Sequence, residues 1–276
     1  MILILGRGGQ LGTSFSNLLG PGGRSLGMDE LDLQDFASIR PTLDRFAPEA
    51  VINCAGHTAV DLAEQQAELA YLLNASAVGE MARWAASRGV PLVNFSSDYV
   101  FDGTKRTPYV ESDRPNPINT YGNTKLAGET EGLDAYPDML LIRSSWLMSG
   151  TSPNFVATVL RRARQEPIRV VNDQVGVPNI ADDLAVATLE ALDAGISGIL
   201  HLASSPATNW FELARTALEL ADMDPELVQP VSSKEYAAAA LRPAYGVLAS
   251  ERNTGITLPG WERSLPAAIK EMLTWI

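Results

Sequence analysis

The chain has 276 residues, of which 46% are hydrophobic and 20% charged, and its formal net charge is -12. That much apolar material excludes disorder and is enough for a large core. The negative balance excludes general attraction to nucleic acid or anionic membrane, while leaving room for a local basic pocket that receives a phosphate. One cysteine, Cys54, and two histidines, His57 and His201, exclude an intramolecular disulfide and a cysteine-rich metal site. The opening apolar run Ile2 to Leu5 is too short and has no preceding basic region for a signal sequence. No stretch approaches membrane-spanning length, so a cytoplasmic protein is expected.

In chain order, short apolar runs at residues 2–5, 50–53, 91–95, 139–142 and 198–202 have the length and flanks of buried parallel strands. A second strand is expected at 24–28, ending at Asp29. Between these runs, residues 34–46, 68–88, 119–133, 154–165 and 180–192 carry apolar side chains at three- and four-residue spacing and predict helices. The alternation predicts an α/β fold, a doubly wound parallel sheet of Rossmann type joined by right-handed crossovers. Beyond Asn209 the pattern changes to helices and loops broken by Pro225, Pro230, Pro243, Pro259 and Pro266, with no further buried strand expected. The division read from this is a dinucleotide-binding domain over 1–145 and a smaller, mainly helical substrate lobe over 146–276, with 180–205 returning to the sheet.

Gly6, Gly9 and Gly12 follow the first strand and open a helix. Glycines there permit a tight turn and close backbone approach, and the free amides of the helix end face an anion, as a pyrophosphate requires. Their spacing departs from the usual dinucleotide fingerprint, whose first two glycines are two apart. Asp29 stands where an acidic residue would bind the adenosine ribose and favour NAD. Arg7 points the other way, toward the ribose phosphate of NADP. Asp32 reads equally as an adenine contact or a helix N-cap, and His57, just after a strand, as a residue of backbone or shape role. The Asp182-Asp183 pair suits a helix N-terminus better than a metal site.

Tyr121 and Lys125 lie four apart, on one face of the predicted helix, so an ammonium is placed near a phenol. A neighbouring positive charge is expected to lower the phenol's pKa from its usual value near ~10. Such a pair is common in ordinary helices, and its weight comes from the motifs around it.

Those motifs run GxxGQLG at 6–12, NCAGHTAVD at 53–61, SSDYVFDG at 96–103, YGNTKLAGE at 121–129, RSSW at 143–146, NF at 154–155, VVNDQVGVP at 170–178 and LRPAYGVL at 241–248. In this order, and over nearly the whole chain, they resemble the dTDP-4-dehydrorhamnose reductase family of extended short-chain dehydrogenase/reductases. The resemblance implies reduction of the C4 ketone of a dTDP-linked 4-keto-6-deoxy sugar by NADPH or NADH, with Tyr121 as acid, Lys125 as its electrostatic partner and Ser97 as the hydroxyl on the carbonyl. It implies cofactor contacts from Gly6, Arg7, Gly9, Gln10, Leu11, Gly12, Asp29, Asp32, Leu33, Ala55, Gly56, His57, Asn74, Ser96, Tyr121 and Lys125. On the substrate side it implies Thr58, Val60, Ser97 and Asp98. Trp146 offers an apolar wall or a core aromatic, Asn154 a diphosphate contact, and Arg242 a diphosphate contact or a structural ion pair.

Three departures matter. Ser97 replaces the family's usual threonine, keeping the hydroxyl but losing the methyl that restricts its rotamer. Ser14 stands where some members carry an acidic residue that bridges a dimer through magnesium, so no metal is expected and the chain is read as a monomer or homodimer. Asp98-Tyr99 replaces the Asp-Glu pair of related dehydratases, favouring reduction over elimination or epimerisation. A non-catalytic reading, as a regulatory subunit of methionine adenosyltransferase type, shares the fold and is set against the retained Ser97, Tyr121 and Lys125.

Overall fold

The computed structural model describes residues 1–276, and in it the short apolar runs are buried parallel strands. They are β1 (Ile2–Leu5), β2 (Gly23–Leu26), β3 (Ala50–Asn53), β4 (Leu92–Ser97), β5 (Leu140–Ser144) and the strand Gly198–His201. Across the sheet the order is Gly198–His201, β5, β4, β3, β1, β2, with every pairing parallel. Helices cover both faces, which is why β3 is buried along its whole length and reads as an unbroken apolar run. The chain leaves β1 for the edge strand β2, then crosses back past β1 to β3. This reversal parts the loops at the carboxyl ends of β1 and β3 and opens the crevice where doubly wound sheets bind ligands.

On one face Leu11 and Phe15 of the helix Gln10–Leu19 pack with Leu184 and Ala185 of the helix Ala181–Asp193. The other face packs under Ile39, Leu43, Met81 and Trp84, from the helices Phe36–Phe46 and Ala77–Arg88. A separate core joins Val156 and Leu160 to Leu213, Leu218, Trp261, Leu265 and Ile269. Ser14 is buried within the first helix, where its hydroxyl donates to the Gln10 carbonyl at 3.3 Å.

Three expectations need correction. The second strand ends at Leu26, and Gly27 opens a turn, so Asp29 lies beyond the strand. The long helix expected over 68–88 is interrupted by a wide π-helical turn, Leu72–Ser76. A further buried strand does exist beyond Asn209: Val228–Val231 pairs in parallel with Ile168–Val171. Its two buried valines are separated by Gln229 and Pro230, which hides the pattern. A two-stranded ribbon tolerates the proline because its outer edge needs no donor.

Candidate active site

At the carboxyl ends of β1, β3, β4 and β5 lies a cleft of about 820 Å³. The end of the cleft beside β1 is built on glycine. Gly6 has φ +98°, and a Cβ there would stand 2.8 Å from the Ala55 nitrogen, so the loops after β1 and β3 touch only because Gly6 has no side chain. Gly12 is packed from behind, where a Cβ would stand 2.2 Å from the Gly6 carbonyl oxygen. Gly9 caps the helix Gln10–Leu19 with no side-chain bond and no acidic residue in the first turn. Gly8, Gly9, Gln10 and Leu11 line the cleft, and Gln10 Oε1 is buried with no partner. A bare helix start beside backbone that admits no Cβ fits a dinucleotide pyrophosphate.

The acidic residues at this end behave differently from expectation. Arg7 lines the cleft, but its guanidinium is held by Asp29 at 2.7 Å to each oxygen and by Glu30 at 2.5 Å. Asp29 is therefore spent on Arg7 and lies off the cleft wall. Asp32 lines the cleft together with Leu33, and its carboxylate accepts from the Gln34 amide at 2.9 Å. The N-cap of the next helix is Asp35, which accepts from the Ala37 amide. Ala55 and Gly56 reach the wall; His57 and Asn74 stand behind it. Asn74 Oδ1 accepts from the His57 amide at 2.8 Å, and Asn74 Nδ2 donates to the His57 carbonyl and to Thr124 Oγ1, each at 3.0 Å. These two residues shape the site from outside.

The helix Thr120–Ala135 carries Tyr121 and Lys125. Asn119 starts it by accepting from the Gly122 amide at 2.7 Å. It has almost no apolar stripe and seats itself on glycines. A Cβ at Gly122 would stand 2.1 Å from the Tyr99 carbonyl oxygen, and one at Gly128 would stand 1.9 Å from that of Asn74. This close seating brings Tyr121 and Lys125 to the same wall as Ser96, Ser97, Asp98 and Tyr99.

Ser97 Oγ donates to Asp98 Oδ1 at 2.9 Å and accepts from the Tyr99 amide at 3.2 Å. Lys125 Nζ donates to the Phe95 carbonyl at 3.0 Å and lies 5.9 Å from the Tyr121 ring centre. Burial pushes the Tyr121 phenol well above its ordinary pKa, against a smaller downward pull from the Ser97 hydroxyl, and Asp98 adds to the rise. The net shift is thus upward, opposite in sign to the one expected from the neighbouring ammonium, and the phenol is held as an acid. Burial takes Lys125 down to about 8, opposed by Glu129 and then Cys54.

Of the residues expected on the substrate side, Thr58, Val60, Asp98, Trp146 and Asn154 all line the cleft. Trp146 adopts φ +37° and stacks on Trp210 with ring centres 3.6 Å apart and planes 14° apart. Asn154 is also a helix cap. It accepts from the Ala157 amide at 3.1 Å, and its Nδ2 donates to the Ser149 and Ser152 carbonyls, so both its N–H groups are committed. Arg242 lies off the wall, in a two-pronged pair with Asp61 at 2.6 Å, which holds Asp61 down at about 2. The ion-pair alternative is the one observed.

The model of the RmlD substrate binding domain matches residues 1–274. The chain belongs to that family. It is 36% identical over 298 residues to a dTDP-4-dehydrorhamnose reductase of Salmonella typhimurium, covering 99% of this chain and 98% of the relative. It is 38% identical over 244 residues to a dTDP-4-keto-6-deoxy-D-glucose reductase of Streptomyces niveus, covering 87% and 85%. A solved structure of dTDP-4-dehydrorhamnose reductase from Bacillus anthracis in complex with NADP superposes with a TM-score of 0.94 at 33% identity, covering 98% of each chain.

Within this member of the RmlD family, sequence reasoning missed Trp210, Phe155, Tyr99 and Ser144 as cleft-lining residues. Trp210 lies outside every motif and carried no signal. Ser144 had one: it directly follows Arg143, a charge in a strand otherwise apolar, and it pairs in register with Ser97. Its hydroxyl is buried without a partner. Asp98 is raised from 3.8 to about 7, chiefly by burial, against hydrogen bonds led by Ser97. Because the folded value exceeds the unfolded one, its contribution to stability is full below the unfolded pKa and is lost as pH rises through the folded pKa. Asp98→Asn, which keeps an acceptor for Ser97, is expected to remove a slope approaching about 1.4 kcal/mol per pH unit between those values. Urea unfolding at several pH values reads this, and parallel stability curves would refute it.

Proposed function

We propose that the chain reduces the C4 ketone of a dTDP-linked 4-keto-6-deoxy sugar with NADPH or NADH, dTDP-4-dehydrorhamnose to dTDP-L-rhamnose being the favoured case. The observation that carries this is the convergence of Ser97, Tyr121 and Lys125 on one cleft wall, opposite a bare glycine-built helix start. Family membership and the names of the relatives point the same way. The solved relative in complex with NADP supports a nicotinamide cofactor, and Arg7 is the one arginine on the cleft wall. A monomer or homodimer in the cytoplasm suits the reading, and no helix is long and apolar enough to cross a membrane.

When bound, the reduced nicotinamide supplies the hydrogen and electron pair that the carbonyl carbon takes up. The chain supplies the rest. Ser97 donates a hydrogen bond to the ketone oxygen, giving up its bond to Asp98. As negative charge gathers on that oxygen, Tyr121 passes it the phenolic proton, and the ammonium of Lys125 stabilises the phenolate left behind. Tyr99, where a dehydratase places its glutamate, is a half-buried phenol pushed well above its ordinary pKa, so it offers no base for elimination.

The test is to mix the purified protein with dTDP-4-keto-6-deoxy sugars and each cofactor, follow the loss of reduced-nicotinamide absorbance, and determine the product's C4 configuration. Oxidation of the cofactor only in the presence of the ketosugar is expected. No turnover with any of them, together with capture of a methionine adenosyltransferase, would replace this reading with the regulatory one.

A further inference from the structure

Behind the cleft lies a row of buried charge that the reaction as described leaves unused. Glu129 sits one helical turn beyond Lys125 and is 3% exposed; Arg143, on β5, is 1% exposed. The Glu129 carboxylate accepts from Ser96 Oγ at 2.5 Å, from Arg143 Nε at 2.8 Å and from Arg143 Nη2 at 2.5 Å. Arg143 Nη1 meets His201 Nε2 at 3.3 Å. His201 Nδ1 faces two carbonyls, Ala249 at 3.0 Å and Tyr109 at 3.2 Å, so Nδ1 carries the proton and Nε2 accepts from the guanidinium. Ser96, Arg143 and His201 are register neighbours on three adjacent strands. Desolvating an ion pair costs several kcal/mol per ion, and apolar replacements are often as stable. Stability alone therefore gives little reason for this row, and one turn before Glu129 on the same helix stands Lys125.

We propose that Glu129 is a positioning residue of the reaction, a fixed negative charge behind the cleft that keeps the Lys125 ammonium in place beside Tyr121. The proposal rests on the reading of Ser97, Tyr121 and Lys125 as the catalytic set. Lys125 donates to the Phe95 carbonyl from β4 and lies beside the Tyr121 ring, with Glu129 one turn on along its own helix and Cys54 in the loop after β3 near enough to act on its charge. Burial pulls the ammonium down, and Glu129 is the largest influence pushing back. The Cys54 thiol is itself pushed up by burial and is neutral where Lys125 titrates, which leaves the Arg143-paired carboxylate of Glu129 as the neighbour that opposes the effect of burial. Its grip on Ser96 and Arg143 also fixes the catalytic helix against the strand ends that carry Ser97.

The chain has four lysines, so acetylation of Lys125 by trace acetic anhydride, read by mass spectrometry across pH in the cofactor-free protein, reports its protonation without any turnover. Glu129→Gln is expected to move the Lys125 midpoint down by about one pH unit or more. The alkaline limb of kcat should move with it, while KM for the ketosugar changes by less than about threefold. A midpoint within about 0.3 unit of wild type overturns the proposal. If Glu129→Gln does not fold, the double variant Glu129→Gln with Arg143→Met, which replaces the buried pair by neutral groups of similar size, is expected to move the midpoint in the same direction by a smaller amount, still more than about 0.3 unit, because Arg143 takes part of the opposing charge with it. Failure of the wild-type protein to turn over any ketosugar would strike the proposed function alone, and the acetylation midpoint would still judge Glu129.

Discussion

Replacing Tyr121 with phenylalanine is expected to lower kcat by about 10²- to 10⁴-fold, the range that a positioned general acid contributes. Cofactor affinity, read by fluorescence titration, should stay within about twofold, because the ring still packs edge-on against Tyr99 with centres 5.6 Å apart and planes at 80°. The effect is large because no other acid on the wall is placed to substitute. Asp98 has Ser97 as its hydrogen-bond donor, and Tyr99 is turned toward Arg242. The burial that keeps Tyr121 protonated also means that its proton leaves only when charge appears on the substrate oxygen and Lys125 is there to compensate. A Tyr121→Phe protein that binds cofactor and turns over at the normal rate would remove the phenol from the mechanism.

Gly128→Ala is expected to destabilise the fold by about 2–4 kcal/mol, read from the urea midpoint. The sign is the informative part. In an ordinary helix interior the same change stabilises by about 1 kcal/mol, because glycine loses the most backbone freedom on folding. Here the new methyl would stand 1.9 Å from the Asn74 carbonyl oxygen, a backbone atom that cannot swing aside. The helix must back away, carrying Tyr121 and Lys125 with it, so kcat should fall as well. A variant as stable as wild type would show that the helix is not seated in this way.

The architecture was legible because strands of a doubly wound sheet are covered on both faces and so read as short unbroken apolar runs. Val228–Val231 escaped for the opposite reason: in a two-stranded ribbon only Val228 and Val231 need to be buried, and Gln229 and Pro230 erase the run. The proposed catalytic set, Tyr121, Lys125 and Ser97, could be read from ordered motifs, and the fold brings the three to one cleft. The environment that tunes them was not legible. The four-residue spacing predicts that Lys125 eases Tyr121 toward ionisation, but the sign of the net shift is decided by burial, which four-residue spacing does not encode. Asp29 and Arg7, read as rival ribose ligands, turn out to hold each other across a turn that placed Asp29 beyond its strand. Asn154 and Arg242 had plausible diphosphate chemistry in isolation, and only the folded chain shows the Ala157 amide and the Asp61 carboxylate already using them.

The wide turn Leu72–Ser76 places a single residue, Asn74, against three partners: the His57 backbone, the Thr124 hydroxyl and the space left by Gly128. The physical consequence is a small interlock. A substitution at position 74, 124 or 128 disturbs the seat of the other two, so the three tolerate change only together. Changes on the Trp146 and Trp210 side of the cleft are expected to leave this set undisturbed.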